Sequence, residues 1–275
     1  MSSSSEPYDS AARVPSRGGG LRRSFAMTVA TLLTLAGCSS IEPIANKTMP
    51  PEQTVKHFTF KTNSTQRVNY LFYLPKGYAE AEQAWPLMLF LHGAGERGTD
   101  IWKVATHGPP KRARDHTEFP FIIVSPQCPE GQTWSRDVLL ALLDDIAKNY
   151  RVNTTRIYVT GLSMGGYGAW DLGLSCPEKF AAIAPICGGA GYITMLLASR
   201  EKLSALQTLP VWAFHGAKDP VVPLSESQRV VDFLKKTGGR EVKLTVYPDA
   251  QHDSWTQTYD DPELYKWLLQ HARKP

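Results

Sequence analysis

Six short apolar runs restrict what this chain can fold into more than any other feature. They are PLMLFLHG (Pro86 to Gly93), FIIVSPQ (Phe121 to Gln127), RIYVTG (Arg156 to Gly161), AAIAPICGG (Ala181 to Gly189), VWAFHG (Val211 to Gly216) and VKLTVYP (Val242 to Pro248). Each is nearly continuous in apolar residues, the mark of strands buried on both faces of a parallel sheet. Two earlier segments, HFTFKT and VNYLFYLP, alternate apolar and polar residues as half-exposed antiparallel strands do. Helical patterns separate the runs. Val138, Leu139, Leu142, Leu143 and Ile146 make one apolar face at 3.6 spacing. Tyr167 to Leu174, Met195 to Leu206 and Ser225 to Lys236 supply others, the last stopped by Gly238-Gly239. The order predicts an α/β domain: an eight-stranded, mostly parallel, doubly wound sheet with helices on both faces.

The 275 residues and their 42% apolar content suffice for one large domain. The formal charge of +4 is an N-terminal effect. Without residues 1–37, 26 basic side chains face 24 acidic ones, which leaves no electrostatic footprint for nucleic acid. The run Lys111-Arg112-Ala113-Arg114 fits a solvated loop.

Residues 1–37 combine a polar, Ser- and Gly-rich start, expected to be disordered, with a signal peptide. Arg22-Arg23 precede an apolar stretch from Phe25 to Ala36, too short to span a bilayer, and then LAGC at Leu35 to Cys38. That ending resembles a bacterial lipobox, which implies lipidation at Cys38 and a membrane partner held through an N-terminal lipid. The expected location is outside the cytoplasm, on a bacterial membrane facing the periplasm or the cell surface. The twin arginines leave the export route open. Residues 38–56 read as a tether and 57–275 as the folded domain. Cys128, Cys176 and Cys187 allow at most one disulfide, of undecided pairing. No C-x-x-C or H-x-x-x-H spacing supports a metal site, and no cofactor is expected.

RIYVTGLSMGGYGAW holds the pattern G-x-S-x-G at Gly161, Ser163 and Gly165. Alone the pattern is weak, but here it lies between a buried strand and a helix, the setting of a nucleophile elbow. A plain turn would explain one glycine, not Gly161, Gly165, Gly166 and Gly168 together. A serine hydroxyl needs a base, and the base needs an acid to orient it. Asp219, in FHGAKDPVVP, lies at the C-terminal end of a later strand, where open sheets put their sites. Among seven histidines, His252 alone follows both Ser163 and Asp219 and precedes a final helix. Asp249 and Asp253 are rival acids by proximity, yet neither follows the earlier strand. The backbone N–H groups of Met164 and Ala94 are the expected oxyanion donors. In LHGAGERGTD, His92 is expected to hold the loop, and Glu96 and Arg97 to pair with each other. Trp134 and Trp255 fall in loops beside this site, as aromatic platforms for substrate or as core residues.

Taken together, LHGAGERGTD, VSPQCP, RIYVTGLSMGGYGAW, FAAIAPICGG, FHGAKDPVVP and HDSWTQTY resemble bacterial α/β-hydrolases related to feruloyl and acetyl-xylan esterases and to the phospholipase/carboxylesterase group. Some relatives are assigned as peptidases of the prolyl oligopeptidase clan. The resemblance runs from about Leu71 to His271. It implies an α/β-hydrolase fold, with Ser163 as nucleophile, Asp219 as acid and His252 as base. Gln251 departs from the glycine that relatives carry before the histidine. The implied activity is a serine carboxylesterase working through an acyl-enzyme. Its substrate would be an ester, such as a feruloyl or acetyl decoration of a polysaccharide, or a lipid. A serine peptidase and an inactive surface-binding protein are the alternatives. The stretch from Gly188 to Pro210 leaves room for one helix and a minimal lid.

Overall fold

The structure, a computed structural model, describes residues 53–61 and 65–274. The signal segment, the lipobox and Cys38 lie outside the described residues. Eight strands form one sheet: β1 (Thr54–Lys61), β2 (Thr65–Tyr73), β3 (Trp85–Leu91), β4 (Ile122–Pro126), β5 (Val152–Leu162), β6 (Ala182–Ile186), β7 (Val211–Gly216) and β8 (Val242–Tyr247). Their order across the sheet is β1-β2-β4-β3-β5-β6-β7-β8. β2 runs antiparallel to both β1 and β4, and every other neighbouring pair is parallel. The helices are α1 (Gly108–Arg114), α2 (Arg136–Asn149), α3 (Met164–Ser175), α4 (Tyr192–Glu201), α5 (Leu203–Thr208), α6 (Ser225–Lys236), α7 (Trp255–Asp260) and α8 (Pro262–Gln270).

Alternation along each buried strand feeds two cores. Leu87, Leu89 and Leu91 of β3 join the cluster that takes in α2, α3 and α6. Met88 and Phe90, pointing the other way, join the cluster built with α1, α7 and α8. A strand with both faces buried has no polar position to spare, which explains five of the six apolar runs. The sixth, β8, departs from the expectation of burial on both faces: it lies at the sheet edge with no fully buried residue. β1 at the edge has no fully buried residue among its eight, consistent with its mixed composition.

Three boundaries differ from the sequence reading. The first strand begins at Thr54, inside the segment assigned to the tether, because its backbone pairs with β2 from Thr54↔Phe72 onward whatever its side chains are. The run Lys111 to Arg114 belongs to α1 and is no loop: Pro109 and Pro110 occupy the first turn, where a missing N–H costs nothing, and Ala113 is buried. The single helix expected from Met195 to Leu206 breaks at Lys202, giving α4 and α5. Cys128, Cys176 and Cys187 are all free thiols.

A core position and an edge position should respond very differently to mutation. Leu89→Ala, at a wholly buried site of β3, should lower unfolding free energy by about 2–5 kcal/mol. Val55→Thr, at a site 49% exposed on β1, should stay within about 0.5 kcal/mol. Denaturant unfolding of the two variants checks the contrast.

Candidate active site

Ser163 sits between the end of β5 and the first residue of α3, with φ 53° and ψ −117°. This is a conformation that L side chains rarely adopt and that costs on the order of 1–3 kcal/mol. The sharp reversal is affordable only because neighbouring backbone passes where Cβ atoms would be. A Cβ on Gly165 would fall on the carbonyls of Leu91 and His92, and one on Gly166 would fall on the Ile186 carbonyl. The Ser163 N–H donates to Ile186 O at 3.0 Å, which ties the turn to the next strand.

The loops after β7 and β8 bring two further groups to the serine. His252 Nδ1–H donates to Asp219 Oδ2 at 2.8 Å, and the Ser163 hydroxyl faces His252 Nε2 at 3.0 Å. The other oxygen of Asp219 accepts the N–H groups of Val221 and Val222, both at 2.9 Å. Burial pushes the Asp219 carboxyl upward. The hydrogen bonds from His252, Val222 and Val221 outweigh it and hold the group below its ordinary 3.8. The rival acids are elsewhere: Asp249 is exposed and paired with Lys218, and Asp253 accepts from Thr256 at the start of α7. His215, wholly buried, donates from Nε2 to Val222 O at 2.9 Å and places Nδ1 2.7 Å from Ser227 Oγ, which fixes the loop carrying Asp219.

Ala94 and Met164 are each the first residue of a helical turn, the three-residue turn 94–96 and α3. At that position a backbone N–H has no partner within its own helix. The two turns are packed together, since a Cβ on Gly93 would press on Leu162. His92 holds the Ala94 loop: its Nε2 accepts the Cys128 N–H at 2.9 Å, and its Nδ1 donates to Gly93 O at 2.6 Å. Glu96 and Arg97 do not pair. The Glu96 carboxylate turns inward, 3.9 Å from His92 and 3.8 Å from His107, while Arg97 donates to the carbonyls of Ala94 and Gln132. Glu96 ends the helical turn and Arg97 follows it in extended backbone, with φ −60° and ψ 160°, which separates the two charges.

Both singled-out tryptophans lie at the site. Trp134 donates from Nε1 to His92 O at 3.2 Å and lines a cavity of about 480 Å³ with Thr133, Met164, Tyr167, Gly168 and Asp171. Trp255 meets the His252 ring edge-on at 5.2 Å between centroids. Tyr167, one turn beyond Ser163 on α3, was not legible as a site residue, because helical periodicity assigned it to a core face.

An alcohol hydrogen-bonded to an imidazole that is itself held by a buried carboxylate can lose its proton as it attacks an electrophile. Residues 135–263 match the phospholipase/carboxylesterase family. The chain is 33% identical to a thermostable esterase of known structure, with a TM-score of 0.63 over 80% of this chain and 63% of that one. The chain has the α/β-hydrolase fold. Among curated proteins, this α/β-hydrolase is similar to the bifunctional acetylxylan esterase/xylanase of Neocallimastix patriciarum, at 29% identity over 66% of this chain and 26% of that one. It is also similar to acyl-protein thioesterase 1 of Mycosarcoma maydis, at 32% identity over 41% of this chain and 47% of that one. The chain thus spans between a quarter and a half of the length of these curated relatives.

His92 gives this α/β-hydrolase a pH dependence of known sign. Burial lowers its imidazole from 6.5 to about 4, so the folded chain keeps it neutral. Unfolded chain takes up that proton near pH 6.5, folded chain only near pH 4, and stability falls as pH drops through this window. The contribution, roughly 3 kcal/mol, is fully present above the window. His92→Gln cannot titrate, so urea unfolding at pH 7 and pH 4.5 should show a smaller acid loss in the variant than in the parent.

Proposed function

We propose that this α/β-hydrolase is a serine carboxylesterase that works through an acyl-enzyme. The observation that carries the reading is the unbroken relay from Ser163 Oγ to His252 Nε2 (3.0 Å) and from His252 Nδ1 to Asp219 (2.8 Å). Ser163 Oγ attacks the acyl carbon as its proton passes to His252 Nε2, and Asp219 stabilises the imidazolium that forms. The N–H groups of Ala94 and Met164 receive the oxyanion, each donor lowering the barrier by about 3–4 kcal/mol. Collapse expels the alkoxide, which takes the proton back from His252. Water then repeats the sequence on the acyl-serine and frees the acid.

The substrate is a carboxylic ester with a small or planar acyl group, such as an acetyl or feruloyl decoration. Two features support this: the likeness to the acetylxylan esterase and the cavity that Trp134 and Tyr167 line beside Met164. The acyl group occupies that cavity because the leaving alkoxide must face His252, beside which Trp255 lies.

With p-nitrophenyl acetate as substrate, Ser163→Ala should lose on the order of 10⁴–10⁶ in kcat. Asp219→Asn should lose about 10⁴, because an amide favours the wrong imidazole tautomer. Residual activity within tenfold of the parent in Ser163→Ala, or faster hydrolysis of aminoacyl anilides than of esters, would overturn the reading.

The same reading extends to location. LAGC at Leu35 to Cys38 supports lipidation of Cys38 and a place on the outer face of a bacterial membrane. Mass spectrometry of the protein from a Gram-negative host should find a lipid-modified Cys38 as first residue. Cys38→Ser should accumulate as precursor. An intact Met1, or an unmodified terminus, would exclude the anchor and leave the esterase proposal standing.

A further inference from the structure

Behind the Ser163–His252–Asp219 relay lies a side chain that the proposed chemistry does not use. Cys187 follows β6 as Asp219 follows β7 and His252 follows the end of β8. Its N–H donates to Phe214 O at 2.9 Å, so the ends of neighbouring strands hold the three side chains in one corner. The ligand atoms of Cys187, Asp219 and His252 all lie within 4.8 Å of one another. Cys187 is wholly buried, the Asp219 side chain is buried, and the His252 side chain keeps 20% exposure. Ser254, also wholly buried, lies beside the thiol with its hydroxyl toward it.

We propose that Cys187 Sγ, an Asp219 oxygen and His252 Nδ1 form an inhibitory site for a soft divalent cation of the Zn²⁺ and Cd²⁺ class. One sulfur, one imidazole nitrogen and one carboxylate oxygen make a donor set that such ions prefer. A tetrahedral zinc holds sulfur at about 2.3 Å and nitrogen or oxygen at about 2.0–2.2 Å, which sets donors roughly 3.3–3.6 Å apart. Nδ1 and Oδ2, now 2.8 Å apart, must part slightly, and Sγ must approach by roughly 1 Å, within reach of a side-chain rotation. Water on the exposed side of His252 completes the shell.

The exchange balances in protons and charge. The thiol, which burial pushes up to about 12 and keeps protonated, releases its proton on ligation, while the Nδ1 proton of the neutral imidazole moves to Nε2, so one proton leaves. Thiolate and carboxylate then neutralise the +2 charge, which makes the bound state tolerable in a buried corner. Ser254 Oγ gains an anionic sulfur to donate to. The metal occupies the nitrogen that Asp219 holds, and Nε2, now carrying the ring proton, cannot take the proton of Ser163. Inhibition by this route rests on the esterase reading, but binding does not.

Cadmium chloride titrated into the full-length protein tests both. A thiolate-to-cadmium charge-transfer band should rise at one equivalent while p-nitrophenyl acetate hydrolysis falls, and a chelator should reverse both. Cys187→Ala should abolish the band and raise the inhibitory cadmium concentration at least about 100-fold. Cys38→Ser, Cys128→Ala and Cys176→Ala should do neither. A band that survives in Cys187→Ala, or equal inhibition of that variant, overturns the site. Should Cys187→Ala not fold, X-ray absorption of the zinc-loaded parent decides, because one sulfur with nitrogen and oxygen neighbours supports the site and an all-oxygen or two-sulfur shell refutes it. If the parent hydrolyses no ester, the band still reports on the metal while the proposed function fails.

Discussion

The close approach of α3 to the ends of β3 and β6 is the constraint on which the site depends. Bare Cα atoms at Gly165 and Gly166 let the first turn of α3 lie against the carbonyls of Leu91, His92 and Ile186. A side chain at either position would push the helix away by more than an ångström, because the obstructing atoms are backbone and cannot rotate aside. That contact fixes Ser163 in its strained conformation and sets the N–H of Met164 beside the loop that offers Ala94. Ser163 and the two N–H groups are thus positioned by packing and not by hydrogen bonds among themselves.

The same economy governs the loops after β6, β7 and β8. Cys187 donates to Phe214 O, Ala217 to Tyr247 O and Lys218 to Ala250 O, so each loop leaves its strand hydrogen-bonded to the next. Asp219 then accepts from the N–H groups of its own turn, and His215 clamps that turn through Val222 O. A carboxylate buried this way would be costly if left unpaired. Two backbone donors on one oxygen and His252 on the other offset that cost. His92 performs the matching task on the other side of the serine, and burial keeps it neutral there. The two buried histidines serve as braces, while the half-exposed one meets the hydroxyl.

The five inner strands β3 to β7 were legible because burial on two faces leaves a one-dimensional signature that needs no knowledge of neighbours, and β1 and β2 because they alternate. Ser163, Asp219 and His252 were legible because their order follows the order of the strands. What stayed hidden depends on contacts between distant segments. Tyr167 looks like any apolar residue of an amphipathic helix until the Trp134 loop packs beside it. Cys187 gave no metal-site spacing because its partners come from two other loops, 32 and 65 residues away along the chain. Glu96 and Arg97, adjacent in sequence, suggested a pair, yet a tight turn sends them to different partners. The proline pair before Lys111 signals a helix start as readily as a loop, and only burial of Ala113 separates the two.

An open site makes preorganisation matter more than closure. The connection between β6 and β7 forms two short helices, and neither contributes to the cavity beside Met164. Tyr192 and Ile193 on α4 are 72% and 64% exposed, so this connection turns apolar surface outward and does not seal it over the serine. With no cover over the serine among the described residues, the proposed chemistry relies on fixed dipoles for what a dry pocket would otherwise strengthen. In the proposed esterase reaction, the strained serine, the two helix-start N–H groups and the doubly held carboxylate are all set before an ester binds. Rigidity at the strand ends therefore takes the place of a lid, and that rigidity traces back to glycines where α3 meets the sheet.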